Sequence, residues 1–410
     1  MRHFFICEDF TLWDFFNNIQ NTFFKTQFHD LIVAMISVTK GKITALIFGI
    51  IIALVLAEVG ARFLEKEHQY PPYMHLYPKP YVMFTGRPEA SGMISTDVAP
   101  TSDEDLPFKL NEFGFRSNHP FVKEKKEGVM RIAMLGGSTV FQGAPFSKTI
   151  IGYLEQMMKD DGKNIEVMNF GAVSYVTGQE LSLLLHTVSD FKPDLVIVYD
   201  GGNDITIPHG GDPRPGYPYN FMAYETGLEY IRGETTAIQL VGLLLRKSAL
   251  VRKFFDRPLQ DNLVQIKKHR RAVKFGSKGW EQAIADAYVS NVEKMCIVGK
   301  GFDSKVAIFL QPLFGVSLDS AGEYMATNSE DKTHAYATEQ YKRLKSLIKE
   351  LDEKYVGEGC SYGNLSDLFQ REDKGFYWDF IHTNNAGNEI IARRMYEELK
   401  AKGMIDWRLP

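Results

Sequence analysis

Four short apolar runs, separated by stretches with helical periodicity, constrain the fold of this chain more than any other feature. The runs are Arg131–Leu135, Ile165–Asn169, Asp194–Tyr199 and Lys305–Leu310. Continuous apolar runs of this length are typical of parallel strands that helices cover on both faces. The alternation of strands and helices therefore predicts an α/β fold, a three-layer α/β/α sandwich with a parallel sheet.

Glycine and polar residues follow three of these runs and precede the last helix. The segments are Gly-Gly-Ser-Thr at 136–139, NFGAVSY at 169–175, DGGND at 200–204 and WDFIHTN at 378–384. The carboxyl ends of parallel strands meet at one edge of the sheet, where open α/β sheets bind their ligands. We therefore expect these four segments to converge.

The convergent side chains suit acyl transfer. A serine hydroxyl becomes a nucleophile when a base takes its proton, and a carboxylate can orient an imidazole as that base. Backbone N–H groups and an asparagine amide can stabilise the oxyanion. Each segment also has a structural alternative: Ser138 or Thr139 as a helix N-cap, Gly171 as an ordinary turn after a strand, GGND as an Asx-turn, and Asp379 as an N-cap beside an exposed His382.

In order and spacing, the four segments resemble the SGNH/GDSL hydrolase family over roughly residues 128–405. The resemblance implies a flavodoxin-like sandwich and a catalytic triad of Ser138, His382 and Asp379. It also implies an oxyanion hole built from the Ser138 N–H, the Gly171 N–H and the Asn203 amide. The first segment departs from the family pattern, because it reads Gly-Gly-Ser rather than Gly-Asp-Ser.

The resemblance implies a serine hydrolase that acts on ester bonds without a metal or a cofactor. We expect an esterase that removes O-acyl groups, acetyl among them, from a carbohydrate or a lipid. Two alternatives stay open: an O-acetyltransferase of envelope polysaccharide with the same triad, and a non-catalytic scaffold in envelope assembly. No Walker or Gly-x-Gly-x-x-Gly pattern is present, and no set of histidines and cysteines has the spacing of a metal site.

An uncharged segment, Ile43–Ala57, precedes the sandwich and reaches about eighteen residues when extended to Ala61, within the usual length of a membrane span. We predict a single-pass anchor over 43–62. A cleaved signal sequence or a buried helix is the alternative. Lysines before it slightly outnumber the cations after it, which predicts a catalytic domain outside the cytoplasm.

The remaining segments are assigned around this anchor and the sandwich. We predict an N-terminal cytoplasmic or interfacial segment over 1–42, a lead-in subdomain over 63–127, and the hydrolase domain over 128–410 with a lid-like helical insertion at about 205–300. Within the insertion, Arg246 and Lys247 end the apolar run AIQLVGLLL, so we expect a buried or surface-dipping helix rather than a second span.

The net charge and the cysteine content limit the partners and sites that this chain is expected to have. A net charge of −4 over 410 residues gives no basic bias toward nucleic acid. The three cysteines, Cys7, Cys296 and Cys360, are too few for a disulfide framework or a zinc site. Cys296 and Cys360 could pair in an oxidising compartment, and the sequence leaves that open.

Overall fold

The computed structural model describes residues 40–64, 77–92, 108–219, 221–318, 324–326, 332–355, 357–369 and 374–406. These residues form two compact units. The helical unit consists of the described residues within Met1–Gln69 and Met222–Lys267, and the sheet unit of those within Tyr70–Phe221 and Lys268–Pro410. Most of the predicted 1–42 segment lies outside the described residues.

Strands and helices alternate along the sheet unit. The strands are β1 (Tyr77–Lys79), β2 (Met83–Thr85), β3 (Ser91–Gly92), β4 (Phe108–Lys109), β5 (Met130–Gly136), β6 (Ile165–Gly171), β7 (Leu195–Asp200), β8 (Lys305–Leu310), β9 (Val316–Leu318), β10 (Tyr324–Ala326) and β11 (Cys360–Asn364). The α-helices of the chain are α1 (Lys40–Leu64), α2 (Ser138–Phe141), α3 (Ile150–Asp160), α4 (Thr177–His186), α5 (Gly202–Gly210), α6 (Phe221–Ile231), α7 (Ala237–Leu245), α8 (Ala249–Leu263), α9 (Ile266–Ala272), α10 (Lys278–Gly301), α11 (Lys332–Lys354) and α12 (Asn385–Ala401).

The central sheet has five parallel strands in the order β11-β8-β7-β5-β6. All four predicted strands are present, and each is buried along most of its length. The fifth strand, β11, was not predicted, because its sequence CSYGN is polar and contains a glycine. It lies at the sheet edge and pairs with β8 from Cys360↔Val306 to Asn364↔Leu310.

Two apolar layers separate the sheet from its helices, which confirms the predicted sandwich. Alternate residues of β5 enter different layers: Ala133 and Leu135 lie with α4, α10 and α11, whereas Ile132 and Met134 lie with α3 and α12. The alternation follows from the two-residue period of a strand. Gly403, with φ +64°, follows the end of α12 in the left-handed conformation that favours glycine there.

Helix α10 belongs to the sandwich and not to an insertion, which corrects the interpretation of 205–300 as one inserted segment. Trp280, Ile284, Tyr288 and Val292 lie one turn apart on α10 and are buried in the layer that covers β8. Cys296, one turn further, forms a disulfide with Cys360 of β11. The pairing that the sequence left open is therefore present.

Residues of the predicted lead-in subdomain pack on the sheet unit. Phe115 is fully buried and lies edge-on to Phe170 of β6, with ring centroids 5.1 Å apart. Phe113 contacts Phe191 in the same way at 5.3 Å. The segment LNEFGFRSN therefore packs against the central sheet and the core beside it through its two phenylalanines.

The helical unit contains α1 and α7. The segment Thr44–Leu64 of α1 is 21 residues long with a mean hydropathy of 2.4, and among the described residues it is the one helix long and apolar enough to cross a membrane. The side chains of α7 are largely exposed, so the alternative of a buried helix for AIQLVGLLL is wrong.

Candidate active site

Two glycines place Ser138 at the start of α2, directly after β5. A Cβ atom at Gly136 would lie 2.5 Å from the carbonyl oxygen of Tyr199, and one at Gly137 would lie 2.4 Å from Asn203 Nδ2. Gly136 therefore requires glycine, and a side chain at Gly137 would displace the Asn203 amide. Gly137, not Ser138 or Thr139, is the N-cap of α2, so the capping alternative for these hydroxyls does not apply.

The hydroxyl of Ser138 lies against the imidazole of His382. Ser138 Oγ is 2.7 Å from His382 Nε2, although the two residues are 244 positions apart in the sequence. On the other side of the ring, His382 Nδ1 lies 2.7 Å from Asp379 Oδ2. The three groups form a continuous chain of hydrogen bonds with the order that nucleophilic catalysis by serine requires.

Asp379 is held by its own turn. Its Oδ1 accepts hydrogen bonds from the N–H groups of Ile381 and His382, at 2.8 and 2.7 Å. Partial desolvation raises the pKa of Asp379, but the hydrogen bonds from the His382 ring and from the two N–H groups outweigh it, and the pKa is lowered. The carboxylate is therefore ionised at neutral pH. Its side chain is 56% exposed, so solvent screens these interactions.

Asn203 is half-buried in the first turn of α5, beside Gly137. Its Nδ2 donates to the carbonyl of Tyr175 at 2.7 Å, and this bond fixes the amide across the loop that follows β6. The amide does not form an Asx-turn with its own backbone. One N–H of the amide is bound to Tyr175, and the other remains to donate elsewhere.

The N–H of Gly171 does not point to an oxyanion hole, which corrects the role that the resemblance implies for it. Its N–H donates to Asn169 Oδ1 at 2.8 Å and is not available to an oxyanion. A Cβ atom at Gly171 would lie 2.7 Å from the Phe141 nitrogen and 2.8 Å from Val140 Cβ. Glycine is required at this position because α2 packs directly on the end of β6.

The order of these segments along the chain matches a known family. Residues 132–395 fit the model of the GDSL-like lipase/acylhydrolase family, which covers well over half of the chain. The chain belongs to this family. It is an ester-hydrolysing serine hydrolase, and the resemblance seen in its sequence is confirmed.

Several solved structures resemble this GDSL hydrolase. The acetylxylan esterase Axe2 of Geobacillus stearothermophilus is 13% identical with a TM-score of 0.38, over 68% of this chain and 97% of that one. The enzyme LAE5 from the Lake Arreo metagenome is 14% identical with a TM-score of 0.38, over 67% and 96%. A GDSL-like lipase of Bacteroides thetaiotaomicron is 11% identical with a TM-score of 0.35, over 66% and 88%. No curated protein matches the chain.

Three side chains that the sequence analysis missed hold α2 of this GDSL hydrolase in place. Asn169 Nδ2 donates to the Val140 carbonyl at 2.9 Å, and an Arg116 guanidinium nitrogen donates to the Phe141 carbonyl at 2.9 Å. Gln142, the residue directly after α2, donates from its Nε2 to the Thr383 carbonyl at 2.9 Å. Asn169 lies within a segment that the sequence analysis quoted, whereas no motif marks Arg116 or Gln142.

Three buried carboxyl groups, those of Glu180, Asp200 and Asp204, interact with one another, and two of them flank Asn203 in the sequence. Asp204 accepts hydrogen bonds from the Thr177 N–H at 3.2 Å and from its hydroxyl at 2.5 Å, which makes it a structural link to α4. The carboxyl groups of Glu180 and Asp200 are fully buried and interact with each other. Burial raises the pKa of Glu180 to about 8, and burial next to Glu180 raises that of Asp200.

Among the described residues, no three histidine, cysteine, aspartate or glutamate side chains are grouped to hold a metal ion.

Proposed function

We propose that this GDSL hydrolase removes O-acyl groups, acetyl among them, from a carbohydrate or lipid through a triad of Ser138, His382 and Asp379. The observation that carries the proposal is the 2.7 Å separation of Ser138 Oγ from His382 Nε2, with Asp379 bound to the opposite ring nitrogen. This arrangement places a base on the hydroxyl and a carboxylate where it orients that base.

The reaction follows from these contacts. Ser138 Oγ attacks the ester carbonyl while its proton passes to His382 Nε2. The tetrahedral intermediate collapses, and the imidazolium returns that proton to the departing alcohol. A water molecule then loses a proton to His382 and attacks the acyl-enzyme, and the imidazolium returns this proton to Ser138 Oγ as the acid leaves. Asp379 keeps the ring in the tautomer that accepts at Nε2.

The oxyanion needs donors beside Ser138. We assign the Ser138 N–H and the second Nδ2 hydrogen of Asn203, because the amide lies against Gly137. In place of Gly171, we assign the N–H of Ser174, which has no acceptor among the described residues. The carbonyl of the adjacent Tyr175 would lie 3.6 Å from a Cβ atom at Gly137, which places this loop beside the nucleophile.

We also propose that α1 anchors the enzyme in a membrane and that the sheet unit lies outside the cytoplasm. The exposed apolar surface of Thr44–Leu64 supports the anchor, because only 6% of its most apolar window is buried. The Cys296–Cys360 disulfide supports the location, since such bonds form and persist in oxidising compartments. An envelope carbohydrate or lipid is the substrate class that such a location offers.

The test uses the full-length protein in nanodiscs and follows release of p-nitrophenol from its acetate ester. Ser138→Ala should abolish both turnover and labelling by a fluorophosphonate. Ser189→Ala is the matched control, because the Ser189 hydroxyl is exposed and binds only the Leu185 carbonyl. Full turnover by Ser138→Ala would refute the triad.

The same assay separates the two alternatives. A sugar acceptor that accelerates p-nitrophenol release and is itself acetylated would identify a transferase. An absence of turnover and labelling in the wild-type protein would identify a scaffold. A series of p-nitrophenyl esters with longer chains then defines the acyl group.

A further inference from the structure

Helix α7 exposes an apolar surface that a helix in water would bury. Six of its nine side chains are large, apolar and exposed: Ile238, Leu240, Val241, Leu243, Leu244 and Leu245. Ile238 and Leu244 are the most exposed, at 73% and 72%. Apolar residues surround the helix instead of forming one stripe, and a contiguous surface of this kind marks a site of interaction.

A carboxylate of α1 fixes the corner where α7 ends and α8 begins. Glu58 accepts hydrogen bonds from the Ser248 hydroxyl at 2.7 Å and from the N–H groups of Ala249 and Leu250 at 2.9 and 3.1 Å. It thereby caps the N-terminus of α8. Arg62 pairs with Glu58 and donates to the Lys247 carbonyl at 3.0 Å. The corner is therefore attached to the side of the candidate membrane span.

The position of Glu58 on α1 sets the depth of that corner. Glu58 lies six residues before the end of the helix at Leu64, which is about 9 Å along its axis at 1.5 Å per residue. An interfacial helix lies about 5–10 Å deep at the boundary between headgroups and acyl chains. If α1 crosses the bilayer, the end of α7 lies at this depth.

The residues that follow α7 carry the charge that a lipid surface attracts. The segment 237–263 contains five arginines and lysines against two aspartates, and the first cations, Arg246 and Lys247, come directly after the apolar helix. Phe254 of α8, 64% exposed, adds an aromatic side chain. An apolar surface bordered by cations is typical of segments that bind anionic membranes.

We propose that α7 and the start of α8 lie in the membrane interface as a second lipid contact beside α1, with anionic headgroups at Arg246 and Lys247. This inference rests on the proposed anchoring by α1. It assigns lipid, and not a second protein chain, to the surface of α7, because the surface is attached to a helix that itself exposes apolar side chains over its length.

The experiment measures how oxygen and a water-soluble nickel chelate reach nitroxide labels on the full-length protein. The background is Cys7→Ser, and the nanodiscs contain phosphatidylcholine and phosphatidylglycerol. Labels are attached at Leu244→Cys on α7, at Phe48→Cys on α1 and at Leu185→Cys, an exposed site of the sheet unit. We expect the labels at Phe48 and Leu244 to be more accessible to oxygen than to the nickel chelate, with Leu244 at the shallower depth. The label at Leu185 should be more accessible to the nickel chelate.

The outcomes separate this inference from the proposals on which it rests. Nickel dominating at Leu244 but not at Phe48 would overturn the α7 contact and leave the anchor intact. Nickel dominating at both would overturn both. Spin–spin broadening at Leu244 that disappears when labelled protein is diluted with unlabelled protein would assign the surface to a second copy. Esterase activity, measured in the same nanodiscs, depends on Ser138 and fails or survives independently.

Two further measurements test the Glu58 contact with α8 and the charge of the lipid headgroups. Glu58→Gln should shift Leu244 toward the nickel ratio of Leu185, because the carboxylate that caps α8 is lost. Glu234→Gln, which removes only an exposed pair with Arg232, should leave Leu244 unchanged. Replacing phosphatidylglycerol with phosphatidylcholine should make Leu244 shallower, and an unchanged depth would overturn the assignment of anionic lipid.

Discussion

The side chain of Gln142 donates to the main-chain carbonyl of Thr383 at 2.9 Å, in the residue next to His382. This bond joins the helix that begins at Ser138 to the turn that carries the imidazole. The separation of nucleophile and base therefore depends on a contact that touches neither of them.

Gln142→Met should lower kcat by about tenfold with little change in KM, because loss of one buried hydrogen bond is worth about 1–3 kcal/mol. The rate of fluorophosphonate labelling should fall with kcat, since both depend on the alignment of Ser138 with His382. Gln156→Met, at an exposed glutamine paired with Asp160, is the control. Equal kinetics for the two variants would show that Gln142 does not position the site.

Asp379→Asn should lower kcat by about a thousandfold or more, because an amide donates to His382 Nδ1 and stabilises the tautomer whose Nε2 cannot accept a proton. Steady-state turnover of p-nitrophenyl acetate measures this loss. Asp367→Asn, at a carboxylate outside the triad, serves as the control. A loss of less than tenfold would remove Asp379 from the catalytic role.

Gly171→Ala and Ser174→Gly should have opposite effects. The new Cβ at 171 would meet the backbone of Phe141, so we expect lower activity and a lower free energy of unfolding. Ser174 has φ +61°, so glycine there should stabilise the fold by about 1 kcal/mol while it keeps the N–H that we assign to the oxyanion. Denaturant unfolding and kcat measure the two effects. Wild-type activity for Gly171→Ala would contradict the close packing of α2 on β6.

The free energy of unfolding should fall as pH rises from about 5 to 8. Glu180 has a pKa of about 8 in the folded protein against an ordinary 4.5, so between these values the folded state holds a proton that the unfolded chain has released. The loss is at most about 1.4 kcal/mol per pH unit for one such proton. Denaturant unfolding across this range measures the slope.

Glu180→Gln should flatten that pH dependence, because the amide does not titrate. Glu389→Gln, which removes an exposed pair with Arg393 on α12, should leave the slope as in the wild type. An unchanged slope in Glu180→Gln would show that Glu180 does not control it.

The four strands β5, β6, β7 and β8 were predictable because a strand covered by helices on both faces needs a continuous apolar run. The edge strand β11 carries no such run, and its place is set by pairing with β8. Helix α10 was assigned to an insertion because a long stretch precedes it, although its apolar residues repeat at every fourth position. Local pattern reveals an amphipathic helix, but not the layer on which it packs.

Ser138 follows a strand, and His382 and Asp379 precede the last helix, so side-chain types at these places in the sequence were sufficient to propose their contacts. The direction of the Gly171 N–H was not predictable, since it depends on where the Asn169 side chain turns at the end of β6. Arg116 and Gln142 act through carbonyl groups, which carry no signature in the sequence.

The bond between Cys296 and Cys360 links a crossover helix to the last strand that joins the sheet. An edge strand has a hydrogen-bonded neighbour on one side alone. The disulfide therefore holds β11, which would otherwise detach easily, on the sheet. Recombinant production in a reducing cytoplasm should therefore yield a protein whose strand β11 exchanges its amide protons fastest within the sheet, and export or oxidative refolding should restore its protection.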